Sequence, residues 1–206
     1  MAVVHLINSD EHTRCATGSL LAAAGYKVHT YAVAGDYLVM EPDNEVGCLL
    51  LSLHLPGVNG LKFQAALRRY PAYERPIIFL TANADVASTV QAMQAGARDF
   101  LTEPVDGETL LAAVRAAVEH DQRRRANQAL CDFVRSSIAA LSERERKVLD
   151  GIAQGRLNKQ LAVELGVSER TIKADRSQVM HRLGVRSLAE MVKLLIEARC
   201  DRGGFS

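Results

Sequence analysis

The chain has 206 residues, 48% hydrophobic and 24% charged, and no apolar run near the roughly 20 residues that span a bilayer. Its length fits two small domains, each with a core of its own, and the start MAVVHLINSDE is too short and too soon acidic for a signal peptide, so the expectation is a cytoplasmic protein without a membrane partner. The net charge of +1 hides an asymmetry: residues 1–121 carry 8 Lys/Arg against 14 Asp/Glu, and residues 122–206 carry 17 against 10, which directs nucleic-acid contact to the C-terminal half.

The run Val3-Val4-His5-Leu6-Ile7 is β-rich, is followed by polar Asn8-Ser9-Asp10-Glu11, and leads into a helix-period stretch (Ala16, Leu20, Leu21, Ala24) that stops at Gly25. The pattern repeats, with strands predicted at 27–31, 46–51, 76–80 and 97–101 and helices at 34–40, 60–70, 85–95 and 106–119. Five strands alternating with five helices predict an α/β fold with a doubly wound, five-stranded parallel sheet. The third strand is an unbroken apolar run that ends at Ser52 and continues into Pro56, Gly57 and Gly60, as suits a central strand whose C-terminal end opens on a crevice. No G-x-G-x-x-G opens the first helix, which argues against dinucleotide binding, and Asn8-Ser9-Asp10 takes that position. Cys15, Cys48, Cys131 and Cys200 are scattered without metal-ligand spacing, so neither a zinc site nor a disulfide framework is expected.

This half resembles the receiver domain of bacterial response regulators, through L-x-L-P-G-x-x-G-L at 53–61, Thr81-Ala82, Gly96-Ala97-Arg98-Asp99-Phe100-Leu101 and Glu103-Pro104. The resemblance implies two acids after the first strand and an Asp ending the third that hold Mg²⁺. It also implies phosphoryl transfer to that Asp from a histidine kinase, with a Thr/Ser and a Lys binding the phosphoryl oxygens. Carried over by position, Thr81, Pro104 and the aromatic switch position Phe100 are kept. The acids are Asn8 and Ser9, the phosphoacceptor is Ser52 and the lysine is Glu103, with Asp10 the one acid left near the loop. Neutral Asn and Ser oxygens do not offset a divalent cation, no adjacent base activates Ser52, and Glu103 repels a phosphoryl group, so no metal and no cofactor are expected. Ser52 then has an inert packing or hydrogen-bonding role, and Glu103 caps a nearby group or is solvated.

Helical spacing from Leu110 to Val118 runs into His120-Asp121-Gln122-Arg123-Arg124-Arg125 and resumes at Leu130, Phe133, Val134 and Ile138, which predicts a helical linker over 121–140, either continuous or broken once. The Arg triplet reads as a solvated face. Beyond it, Ser142-Glu143-Arg144-Glu145 is a capping box, Gly155 stops that helix, Asn158 is placed to cap a second, and Gly166-Val167-Ser168 is a tight turn into a third at 169–183. That third helix shows Arg170, Lys173, Arg176, Ser177, Gln178 and Arg182 away from its buried Ile172 and Val179, which are the parts of a helix-turn-helix.

Residues 141–197 resemble the LuxR-type four-helix DNA-binding domain through Leu141-Ser142-x-Arg144-Glu145, Asn158-Lys159, Leu165-Gly166-Val167-Ser168, Thr171-Ile172-Lys173 and Leu183-Gly184-Val185. The resemblance implies double-stranded DNA on two half-sites as a partner, with Lys173, Ala174, Ser177 and Gln178 nearest the bases and Lys159, Thr171, Arg176 and Arg182 on phosphates. Asp175 departs from the family, which often has His there; it can accept from a cytosine amine or pair with Arg176 or Lys159, and it would repel a phosphate. A last helix at 187–198, with Leu188, Met191, Val192 and Leu195, resembles the family's dimer helix. The expected organisation is a pseudo-receiver over 1–120, a linker over 121–140 and a DNA-binding domain over 141–206. The whole resembles a NarL/FixJ-type response regulator with an aspartate-less receiver: a homodimeric transcriptional regulator, not an enzyme, acting through contact with a sensor kinase or other regulatory protein. Two alternatives stand beside this reading, a signalling adaptor that sequesters a sensor or kinase, and a redox-responsive regulator using Cys48 or Cys15.

Overall fold

The structure, a computed structural model, describes residues 1–41, 43–70 and 74–199 and divides into two compact units, Met1–Arg124 and Arg125–Ser206. In the first, the chain runs β1 (Val3–Ile7), α1 (Glu11–Ala23), β2 (Lys27–Tyr31), α2 (Ala34–Val39), β3 (Gly47–Leu51), β4 (His54–Leu55), β5 (Val58–Asn59), α3 (Gly60–Leu67), β6 (Ile77–Thr81), α4 (Val86–Gln94) and β7 (Asp99–Thr102), and enters α5 (Gly107–Ala139). Five strands form a parallel sheet in the order β2-β1-β3-β6-β7, the fold class that the alternation predicts.

Period-two geometry sends successive residues to opposite faces. Val4, Leu6, Cys48, Leu50, Ile78 and Leu80 pack with Leu21 of α1 and Leu110, Val114 and Ala117 of α5, while Ile7, Leu49, Leu51 and Phe79 pack with Tyr37, Phe63, Leu67 and Ala92 of α2, α3 and α4. Every residue of β3 is buried, which is why it carries no polar alternation. The periodicity gave no sign of β4 and β5, a small antiparallel pair closed by Pro56 and Gly57, the latter at φ 79° where a side chain would be strained.

Two polar assemblies sit inside this unit. His5, on β1, has Nδ1 3.0 Å from the Tyr31 hydroxyl and Nε2 3.0 Å from Asp43, which also pairs with Arg75. Burial and the Arg75 charge push His5 down to about 4, so the neutral ring shares a hydrogen bond with Asp43, and burial pushes the Tyr31 phenol up to about 12. The second assembly corrects the reading of the Arg triplet 123–125 as a solvated face at Arg124, which is partly buried and paired. α5 is one helix of 33 residues through that run, and within it Asp121 is fully buried. Its carboxylate accepts from the Gly47 N–H at 3.0 Å and from Arg124 Nη2 at 2.8 Å, and Arg124 reaches Glu74 at 3.0 Å. Arg123 does lie exposed, 3.3 Å from Glu119. Gly47 cannot be replaced without displacement, since a Cβ there would lie 1.9 Å from the Val3 carbonyl oxygen.

The second unit begins with the last turns of α5 and continues through α6 (Glu143–Ala153), α7 (Asn158–Leu165), α8 (Glu169–Arg182) and α9 (Leu188–Arg199). Leu141, Val148, Leu149, Ile152, Leu161, Ile172, Val179, Leu183 and Met191 form its core, with Ile138 of α5 packed against them. The capping box at α6 is present in both directions, Ser142 Oγ accepting from the Glu145 N–H and the Glu145 carboxylate from the Ser142 N–H. Asn158 does not cap α7: it is the first helical residue, and the Leu157 N–H before it donates to Gln160 Oε1 at 2.9 Å. Of the α9 stripe, Met191 is buried and Leu195 half-buried, while Leu188 and Val192, with Ile196, are exposed. Cys200 and the rest of 200–206 lie outside the described residues. Among the described residues no helix is long and apolar enough to cross a membrane.

Candidate functional site

At the C-terminal edge of the sheet, β1, β3, β6 and β7 deliver Asn8, Ser52, Thr81 and Glu103. The ladder fixes their backbones: the Ser52 N–H donates to the Ile7 carbonyl at 2.9 Å, the Asn8 N–H to Tyr31 at 3.1 Å and the Glu103 N–H to Thr81 at 2.9 Å. Gly60, opening α3, is required here because a Cβ would lie 2.5 Å from the Ser52 carbonyl oxygen.

The side chains are nearly out of solvent, with Asn8 4%, Ser52 8% and Thr81 2% exposed. Asn8 Oδ1 accepts from the Asp10 N–H at 2.9 Å, and Asp10 in turn caps α1 by accepting from the Thr13 N–H at 2.6 Å, which holds its carboxyl below the ordinary range. Ser9 is exposed and its carbonyl accepts from Arg14 at 3.2 Å. Among the described residues the Ser52 hydroxyl has only a long contact, 3.4 Å to the His54 carbonyl, and the Thr81 hydroxyl donates to the Asn83 carbonyl at 3.3 Å. Glu103 neither caps a neighbour nor is fully solvated: one carboxylate oxygen is buried without a donor among the described residues. Burial and the nearby Asp10 charge raise its pKa. Phe100 is half-buried with its ring stacked on Phe79, centroids 5.6 Å apart.

This donor set does not fit Mg²⁺. Asn8 Oδ1 and Asp10 Oδ2 each already accept from a backbone amide, Ser52 is neutral, and no group of three or more His, Cys, Asp or Glu is placed to hold a metal among the described residues. Among the described residues no basic side chain hydrogen-bonds the Ser52 hydroxyl. Cys48, inside the sheet, has its thiol pushed up to about 12 by burial, so it is a poor thiolate; Cys15 is exposed, and Cys15, Cys48 and Cys131 are unbridged.

In the second unit, Gly166 adopts φ 64° at the C-terminus of α7, and Ser168 starts α8 by accepting from the Thr171 N–H at 3.1 Å. The exposed side of α8 includes Lys173, Ala174, Ser177 and Gln178, and Lys159 is exposed on α7. The remaining sequence-predicted contacts are engaged inside the domain. The Thr171 hydroxyl is 2.9 Å from that of Ser168, Arg176 donates to Asn158 Oδ1 at 3.0 Å, and Arg182 donates to the Ala140 carbonyl at 3.0 Å. Asp175 takes neither expected partner: it is buried and accepts two hydrogen bonds from Arg144, at 2.8 and 3.0 Å, joining α8 to α6. That pair spans 31 positions, beyond the reach of helical spacing.

Residues 4–115 match the response regulator receiver domain, and residues 139–195 match the bacterial regulatory proteins of the luxR family. The chain belongs to the response regulators that join a receiver to a LuxR-type DNA-binding domain. Over 193 residues it is 37% identical to nodulation protein W of Bradyrhizobium diazoefficiens, covering 94% of this chain and 85% of that protein. It is 33% identical to the transcriptional regulatory protein FixJ of Azorhizobium caulinodans, covering 95% and 92%. The response regulator StyR superposes with a TM-score of 0.83 at 35% identity over 95% of this chain and 98% of that one, and full-length FixJ from B. japonicum with 0.57 at 32% over 96% and 97%. As a member of this family the chain is a transcription regulator of the two-component type, and its helix-turn-helix is a DNA-binding module.

Proposed function

We propose that this response regulator binds a specific DNA sequence as a homodimer and that its receiver sets the output through contact with another protein, without being phosphorylated. The observation that carries the second half is Ser52: the strand end that would present a phosphoacceptor carboxylate presents a buried hydroxyl, with Asn8 beside it and an anion, Glu103, where a phosphoryl group needs a cation. The pseudo-receiver is assigned to 1–120, the linker to 121–140 and the DNA-binding domain to 141–206. Two exposed apolar stripes support the proposed assemblies: Leu188, Val192 and Ile196 on α9 for a second copy, and Val86, Val90 and Met93 on α4 for a regulatory partner such as a sensor kinase. On α8 and α7, Lys173, Ala174, Ser177 and Gln178 are assigned to bases and Lys159 to a phosphate.

The test is incubation with acetyl phosphate, or with a phosphorylated kinase, and Mg²⁺, followed by intact-mass spectrometry, with DNA binding measured in parallel. No phosphoryl adduct on the receiver and unchanged binding are expected. An adduct on the receiver at substantial yield rejects phosphorylation independence, and failure of the untreated protein to select any sequence rejects the DNA-binding reading.

A further inference from the structure

The exposed strip of α8 runs further than the four residues placed on bases by sequence. Spacing of i, i+4, i+7 and i+11 aligns Arg170, Ala174, Ser177 and His181, flanked by Lys173 and Gln178, and all six are exposed. The cations of this unit differ in what they are already doing. Arg144 is bound to Asp175, Arg156 to Glu164, Arg176 to Asn158 and Arg182 to the Ala140 carbonyl, while Lys147 and Lys193 pair with Glu143 and Glu197. Arg170 has no hydrogen-bond or ion-pair partner for its guanidinium among the described residues. It lies two positions after the Ser168 cap, in the first turn of α8.

The first turn of a recognition helix is the end that reaches base edges in the major groove. An exposed guanidinium there keeps its planar fork whole, and that fork matches the O6 and N7 acceptors of guanine with two parallel N–H bonds; a lysine ammonium can donate to the same acceptors but without that fixed planar geometry. Arg176, six positions on, is turned to Asn158 and lacks that freedom.

We propose that Arg170 is a specificity-determining residue that reads a guanine in each half-site of the operator. The inference rests on the DNA-binding reading above and adds to it the base and the residue that recognises it. The side chain supports nothing else in the fold, so its substitution leaves the helical circular dichroism unchanged.

The experiment selects duplexes from a randomised pool with the full-length protein, as wild type, Arg170→Ala and Arg170→Lys, at two salt concentrations. Wild type is expected to fix a G·C pair that Arg170→Ala no longer prefers, by about 10-fold, while the rest of the motif persists. Arg170→Lys is expected to keep the salt dependence and to prefer the guanine less strongly than wild type. Uniformly weaker binding by Arg170→Ala with an unchanged motif makes the contact a phosphate contact and overturns the proposal, as does unchanged binding. A wild type that selects a motif separates that failure from one of the DNA-binding reading; a wild type that selects none overturns both.

Discussion

The burial of Asp121 makes a quantitative prediction about the first unit. In Asp121→Ala the Gly47 N–H, itself buried, loses its carboxylate acceptor, and a hydrogen bond to a charged group contributes about 1.5–3 kcal/mol. Loss of the Arg124 contact adds about 1 kcal/mol or less, because that side chain is partly exposed and keeps Glu74. The sum is about 3 kcal/mol, and with a urea slope near 2 kcal/mol/M for a unit of this size the midpoint falls by about 1.5 M. The chain supplies its own probe: it has no Trp, and its five tyrosines all fall between positions 26 and 73, so tyrosine fluorescence in urea follows the first unit alone. Asp121→Asn, which keeps an acceptor oxygen, should fall about half as far. A midpoint for Asp121→Ala within about 0.3 M of wild type would refute the reasoning, since the carboxylate would then not be a buried support.

Three further outcomes are expected. His5 titrates at about 4 in the fold against 6.5 unfolded, so the native state binds fewer protons, and stability present above pH 6.5 is lost as pH falls toward 4, by about 2 kcal/mol after allowing for screening; the same fluorescence assay on His5→Asn should show that acid limb flattened. Glu103 has the opposite sign, its raised pKa meaning that stability is lost as pH rises through it, so Glu103→Gln should raise the urea midpoint at neutral pH, and a lower one would show that the carboxylate is supported. Ser142→Ala removes the α6 cap, worth about 1 kcal/mol, and should speed amide exchange in the first turn of that helix about 5-fold with little change elsewhere.

Features whose causes are local were legible in the sequence. The apolar run of β3, the Ser142 capping box and the turn at Gly166 are each set by residues within a few positions of one another, and the two family resemblances gave the domain types. Pairings across the chain were not. Asp121 stands in a polar run beside an Arg triplet that reads as a solvated face, and its contact with Gly47, 74 positions away, reveals it as core. His5 interrupts an apolar strand without any hint of Tyr31, Asp43 and Arg75. Asn158 has the composition of a cap and the geometry of an acceptor for Arg176. In each case the deciding term is the partner, and periodicity carries no information about partners.

Partnering also decides how the charge asymmetry should be read. The cation excess of the C-terminal half overstates what DNA can meet, because much of it is bound internally, and the side chains left over on α7 and α8 include Lys159, Arg170 and Lys173. The acidic half shows the converse at its sheet edge. Glu103 raises the local negative potential with one oxygen unpaired, and Asp10 adds to it while capping α1. Replacing Ser52 by Asp alone would therefore add a third carboxylate to the edge that holds Glu103 and Asp10, where the Arg14 guanidinium is already engaged by the Asn8 and Ser9 carbonyls, and burial and repulsion would both favour its protonated form. On the proposed reading, phosphorylation of this receiver would take at least Asn8→Asp and Glu103→Lys along with Ser52→Asp, because the balance of charge it needs is spread over three strand ends.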